Sequence, residues 1–222
     1  MRIRNLLIAL ALLAFFPAAL AAPFFGHERD YDVTITNVTH GVSFTPFLVV
    51  SHSRDIALFE LGAPASPELA LLAEGGATGP LATQLGGDAR VHDIQTSAGL
   101  LGPGQSVTVR ISTRFGFRRI SLAAMLLPTN DSFVAVDGIY APLSPYGRAT
   151  SAPGYDAGSE PNDELCVNIP GPTCGGAGAS PEAGGEGFMH ISRGIQGVGD
   201  LMPGDYDWRN PVAHISIVPA SD

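Results

Sequence analysis

Ser106-Val107-Thr108-Val109-Arg110-Ile111-Ser112-Thr113 and, after a short link, Arg118-Arg119-Ile120-Ser121-Leu122-Ala123-Ala124-Met125-Leu126-Leu127 decide the fold class. In the first stretch Val107, Val109 and Ile111 fall on one face at a period of two, the pattern of a half-buried strand. In the second, Ile120, Leu122, Ala124 and Leu126 share a face in the same way. Working outward, Tyr31 to Thr36 alternates apolar and polar strictly, and Ser43 to His52 reads as a strand interrupted by Pro46, which suits an edge or a bulge. Phe133 to Asp137 is a short strand, and Phe188 to Arg193 and Ala213 to Val218 are two closing ones. One helix interrupts the series. Ser66 is its N-cap, Pro67 its first residue and Glu68 its first-turn acid, and it runs through Leu69, Leu71 and Leu72 to stop at Gly75-Gly76. Gly79 to Gly87 reads as a further short helix or loop, and Ala141 to Gly187 is loop-rich. The expectation is an all-β chain: an antiparallel β-sandwich of about eight strands, with a short helical insert and long loops.

The first residues predict export. Met1-Arg2-Ile3-Arg4 is basic, Leu6 to Phe16 is apolar, and Ala19-Leu20-Ala21 follows the breaker Pro17. This is the order of a secretory signal, with cleavage expected after Ala21. The apolar run is well short of the roughly 20 residues that span a bilayer, and no later stretch is expected to be a transmembrane segment. The chain therefore divides into a signal peptide over 1–21, a short segment over 22–29 and one β-sandwich domain over 30–220, with a periplasmic or secreted location.

The formal net charge is −9, and losing Arg2 and Arg4 with the signal makes it more negative still. An acidic chain without a basic cluster is a poor partner for nucleic acid. Four arginines, Arg110, Arg114, Arg118 and Arg119, fall near what reads as one hairpin tip, where guanidinium groups suit an anionic glycan or lipid. Ordinary surface ion pairing explains the same residues. The chain has two cysteines, Cys166 and Cys174, in a Gly/Pro-rich loop, and in an exported chain they are expected to form a disulfide.

Two acidic loops stand out. Asp131 follows the strand ending at Leu127, and Tyr155-Asp156-Ala157-Gly158-Ser159-Glu160-Pro161-Asn162-Asp163-Glu164 carries the rest. Oxygen ligands on Gly-containing loops are what Ca2+ takes, and a solvated acidic surface has the same composition. The six histidines are scattered singly, and G-x-S-x-G, H-E-x-x-H and S-x-x-K are absent. The chain is accordingly expected not to be an enzyme; a periplasmic hydrolase without a recognisable motif is the alternative.

At these loops the sequence resembles the spondin N-terminal domain family. Arg119 to Gly138 is similar to the family's strand ending in Ser-Met-x-x-Pro-Ser-Pro-Asp-Trp and the Val-Gly-Val-Asp-Gly-like run after it. Tyr155-Asp156-Ala157-Gly158-Ser159-Glu160 resembles its Trp-Asp-Ala-Gly-Thr-Asp, Tyr31 to Thr36 with Phe44-Thr45-Pro46 its opening strands, and His214-Ile215-Ser216-Ile217 its closing strand. The resemblance covers roughly residues 30–218. It implies an eight-stranded antiparallel sandwich similar to calcium-dependent membrane-binding domains, with one Ca2+ held by Asp131, Asp156 and Glu160 together with backbone carbonyls. Asn162, Asp163 and Asp137 are reserve ligands, Asp137 being better placed to cap a turn with Gly138. Glu160 stands where animal members carry Asp, and Asn130-Asp131-Ser132-Phe133 replaces their Pro-Asp-Trp. The implied role is a stand-alone bacterial module for adhesion, or for binding extracellular glycan, lipid or protein at the cell surface.

Overall fold

The computed structural model describes residues 27–180 and 184–221. The expected signal peptide, and residues 22–26 of the segment after it, lie outside the described residues. Among the described residues no helix is long and apolar enough to cross a membrane.

Among the described residues, eleven strands are arranged in two antiparallel sheets. In chain order they are β1 (Arg29–Asn37), β2 (Ser43–Phe44), β3 (Leu48–His52), β4 (Val91–Thr96), β5 (Ser106–Thr113), β6 (Arg119–Leu127), β7 (Ser132–Tyr140), β8 (Arg148–Ala152), β9 (Gly154–Asp156), β10 (His190–Ile191) and β11 (Ala213–Pro219). One sheet has the order β5-β1-β11-β8. The other runs β10-β9-β7-β6-β3-β4, with β2 paired to β6. The helices are α1 (Pro67–Gly75), α2 (Thr78–Gly86), α3 (Gly171–Cys174) and α4 (Pro203–Tyr206). The sequence-based fold class therefore stands.

The alternation of β1 does what it predicts. Tyr31, Val33 and Ile35 are buried between the sheets. On the outer face Asp32, Thr34 and Thr36 lie opposite Arg110, Thr108 and Ser106 of β5. The two hydroxyl pairs there are each 2.8 Å apart, the kind of cross-strand pair that stabilises a sheet.

Strand β6 departs from the half-buried reading: every residue from Ile120 to Leu127 is buried. Ile120, Leu122, Ala124 and Leu126 face the core between the sheets. Ala123 belongs to a second core with Leu48, Val50, Phe133 and Ala135, roofed by Leu69, Leu72, Leu81 and Leu85 of α1 and α2. A strand covered on both faces reads as a continuous apolar run rather than an alternating one. The helical insert is thus a third layer. Ser66 Oγ accepts from the Leu69 amide at 3.2 Å, and Gly76 closes α1 in the left-handed region at φ 68°.

Other departures have local causes. β4 and β8 sit at sheet edges and of their residues only Ala152 is buried, which leaves little apolar patterning to read in Val91-His92-Asp93-Ile94-Gln95-Thr96 or Arg148-Ala149-Thr150-Ser151-Ala152. The strand expected over Phe188 to Arg193 shrinks to His190–Ile191, held only by β9. Strands β5 and β6 belong to different sheets, so the link between them is a crossover and not the hairpin expected from their spacing.

Candidate metal centre

Asp131 sits in the turn from β6 to β7, and side chains shape that turn. Thr129 Oγ donates to the Leu126 carbonyl at 2.6 Å and accepts from the Ser132 amide at 3.1 Å. Asn130 Nδ2 donates to Asp163 Oδ1 at 2.9 Å, and its Oδ1 accepts from the Glu164 amide at 3.1 Å. The turn is thereby bound to the loop that follows β9. In register, Ser132 faces Asp156 and Phe133 faces Tyr155.

That pairing brings the two acidic loops together. Asp131 is fully buried. Its Oδ2 accepts from the amides of Ser159 at 2.8 Å and Glu160 at 3.0 Å and from Ser159 Oγ at 3.3 Å. Asp156 Oδ1 accepts from the Gly158 amide and Oδ2 from Asn162 Nδ2, both at 2.9 Å. Gly158 is required here. It has φ 65°, and a Cβ would collide with the Phe188 carbonyl.

Among the described residues, three buried carboxylate oxygens have no hydrogen-bond partner: Asp131 Oδ1, Glu160 Oε2 and Glu74 Oε1. Glu74 lies near the C-terminal end of α1, where the helix dipole disfavours negative charge. Its other oxygen accepts from the Ser180 amide at 2.9 Å. Glu164 offers an internal comparison. It too is buried, yet its Oε1 accepts from the Gln196 amide at 2.5 Å and its Oε2 from the Gly197 and Val198 amides at 2.7 and 2.9 Å. Burial alone does not orphan a carboxylate in this molecule.

Asp131 and Glu160 hold their protons tightly. Burial, reinforced by the charge of Asp156, pushes the Asp131 carboxyl well above the usual range. Burial also raises Asp156, against the bonds from Asn162 and Gly158. Glu160 is pushed up to about 7, first by burial and then, against a bond from Ser180, by the charges of Glu74, Asp131 and Asp163. Asp163 shows the opposite balance: burial raises it, but bonds from the Leu165 amide, Asn130 and Asn168 outweigh that and hold it low.

The structure places the remaining sequence candidates as follows. Asp137 Oδ1 accepts from the Leu58 amide at 3.1 Å and from Ser121 Oγ at 2.7 Å. It ties strands together rather than capping a turn with Gly138, whose amide is instead bound by Ser121 Oγ at 2.7 Å. Ser121 Oγ also lies 2.7 Å from His52 Nε2. The order is therefore carboxylate–hydroxyl–imidazole, in which the acid orients the serine and not the histidine, unlike a nucleophile relay. Cys166 and Cys174 are disulfide-bonded.

The four arginines each have an intramolecular partner. Arg110 forks onto Asp32 at 2.9 and 3.1 Å, on the outer face of the smaller sheet. Arg114 lies 4.5 Å from the centre of the Phe117 ring, and Arg118 and Arg119 lie 4.6 and 5.4 Å from that of Tyr140. Arg118 and Arg119 also donate to the Ala141 and Gly138 carbonyls.

Sequence reasoning missed Glu74, Glu186 and His190. His190 is the cross-strand neighbour of Asp156. Asp156, Glu186 and His190 form the one group of three metal-ligating side chains, among the described residues, whose ligand atoms all lie within 4.8 Å of one another. Asp131, Asp156 and Glu160 share their loops without drawing that close. The displaced aromatic has a place of its own: Phe133 packs edge-on against Phe59 at 5.5 Å and beside Tyr155 at 5.6 Å, under the helical layer.

No curated protein matches the chain significantly. A family model described as Spondin_N matches residues 25–141, just over half of the chain. The match takes in β1 to β7 and Asp131, while the Asp156 loop and His190 lie beyond it. Family and disulfide together point to an extracellular or secreted domain of the adhesion type. The chain belongs to the spondin N-terminal domain family.

Proposed function

We propose that this chain is an exported, calcium-held binding module, periplasmic or secreted, that acts at a cell surface in adhesion or in binding glycan, lipid or matrix. The observation that carries the reading is the set of orphaned buried oxygens on Asp131, Glu160 and Glu74. A buried carboxylate without a donor is costly, and a hard cation is a partner that suits several at once. Calcium takes six to eight oxygens from carboxylates, backbone carbonyls and water. The residue types suit that preference, with Asp131 and Glu160 as direct ligands, Glu74 beside Glu160, and Asp156 adjoining; their ligand atoms do not all lie within 4.8 Å of one another, so the ion would have to draw the two loops together. When bound, the ion would supply charge compensation and hold the loops after β6 and β9 in one arrangement. The surface those loops present is then the recognition surface.

In this reading the chain is not an enzyme. Turnover of ester or glycan substrates by purified protein, lost on calcium depletion, would overturn that part. The metal part is tested by thermal melts of calcium-stripped protein with added Ca2+ or Mg2+, for wild type and Asp131→Asn. A calcium-specific rise in Tm that disappears in the variant supports the reading. No shift at millimolar calcium refutes it. Binding to glycan arrays and lipid vesicles with and without calcium tests the recognition part.

A further inference from the structure

Next to the proposed calcium loops lies a site of different chemistry. His190 Nδ1 is 3.0 Å from the Ile191 carbonyl. A carbonyl can only accept, so Nδ1 carries the hydrogen and Nε2 is the free ring nitrogen. That nitrogen is buried and lacks a hydrogen-bond partner. It points between two carboxylates, 3.5 Å from Asp156 Oδ1 and 3.8 Å from Glu186 Oε2. A charge-assisted hydrogen bond from a protonated imidazole would lie nearer about 2.8 Å. Ligand atoms around a tetrahedral metal with bonds near 2.1 Å are about 3.4 Å apart, close to the separations seen.

The surrounding groups orient the ligands. Asn162 Nδ2 donates to Asp156 Oδ2 at 2.9 Å and to Glu186 Oε1 at 3.2 Å, so one amide holds both carboxylates by the oxygens that do not face His190. The Phe188 ring lies 5.4 Å from that of His190. A ligating imidazole with its other nitrogen on a carbonyl, and ligating carboxylates that are themselves hydrogen-bonded, is the usual outer arrangement of a metal site. Glu186 is 38% exposed on its side chain, which leaves an entry path and room for a water ligand.

We propose that Asp156, Glu186 and His190 form a binding site for a borderline divalent metal of the zinc class. One imidazole and two carboxylates suit zinc, cobalt or nickel, whereas calcium prefers oxygen alone. The site does not rest on the calcium reading, although both draw on Asp156. Its occupancy would hold β10, an otherwise two-residue strand, against β9.

The test is titration of metal-free protein with Zn2+ against a chromophoric chelator, with Co2+ as a visible-absorption probe of the ligand set. Wild type is compared with His190→Gln, Glu186→Gln, Asn162→Ala and Asp131→Asn, each checked for native circular dichroism. The expected result is one zinc per chain. Asn162→Ala weakens it by roughly 10–100-fold, the range for losing an orienting partner, and His190→Gln and Glu186→Gln by more. Asp131→Asn keeps zinc binding while losing the calcium response, so the two readings fail separately. Absence of stoichiometric zinc binding at micromolar concentration, or binding and a cobalt spectrum unchanged in His190→Gln, would overturn the proposal.

Discussion

Glu160 makes the sharpest prediction, because metal and proton compete for it. Its folded pKa is about 7 against an ordinary 4.5. A carboxyl raised on folding stabilises the protein below its unfolded pKa, and that contribution is lost as pH rises through the folded value. The difference of about 2.5 units corresponds to about 3 kcal/mol, lost between pH 4.5 and pH 7 in metal-free protein. Buried His52, whose pKa is lowered first by burial, works in the opposite direction below pH 6.5. The clean quantity is therefore the difference between wild type and Glu160→Gln, which carries no charge at this site. In chelator-treated buffer the variant should match wild type near pH 4.5 and exceed it by up to about 3 kcal/mol at pH 8. Calcium should narrow that gap. At a hundredfold excess over its dissociation constant it adds about 2.7 kcal/mol to wild type, and less to the variant with its weaker ligand. Urea unfolding across pH 4.5–8, with and without calcium, measures all four conditions. A metal-free stability difference that does not change with pH, or equal calcium stabilisation of both proteins, would refute the reasoning.

Other outcomes follow from the same geometry. Asp131→Ala leaves the Ser159 and Glu160 amides without their acceptor and should cost about 2–4 kcal/mol, read from denaturant melts, with the calcium-induced Tm shift abolished. Gly158→Ala forces a side chain into the left-handed region against the Phe188 carbonyl. A loss of more than about 1 kcal/mol is expected, with weaker calcium binding by calorimetry. Opening the Cys166–Cys174 bridge by a double Ala substitution should cost about 2–3 kcal/mol. It should also weaken the calcium response, because the segment after the bridge sets the Ser180 amide on Glu74. Arg110→Gln, which breaks an exposed pair with Asp32, should leave the denaturant midpoint essentially unchanged, because solvent screens such pairs.

Much of the fold was legible because its signals are local. The alternation in β1 and β5 follows from which face of a strand is buried, and Ser66-Pro67-Glu68 starts a helix wherever it is placed. The Asp131 and Asp156 loops were found from residue type and from the family's motifs. Strands β4 and β8 were not, because of their residues only Ala152 is buried and so little apolar pattern is needed.

What the amino-acid sequence determined by itself was the β-rich class, the helical insert, the cysteine pair and the presence of acid-bearing loops. The tertiary structure alone decided which of those acids are orphaned and which are satisfied. Glu74 reads as an ordinary helix-end acid until the segment leading to Ser180 crosses α1 and buries it. Glu164 reads like its neighbours until three amides from residues 196–198 close around it. His190 acquires a partner only because β10 pairs with β9 at Asp156. A carboxylate's chemistry depends on the donors and charges within a few ångströms, and here those come from segments far apart in the chain, brought together by packing.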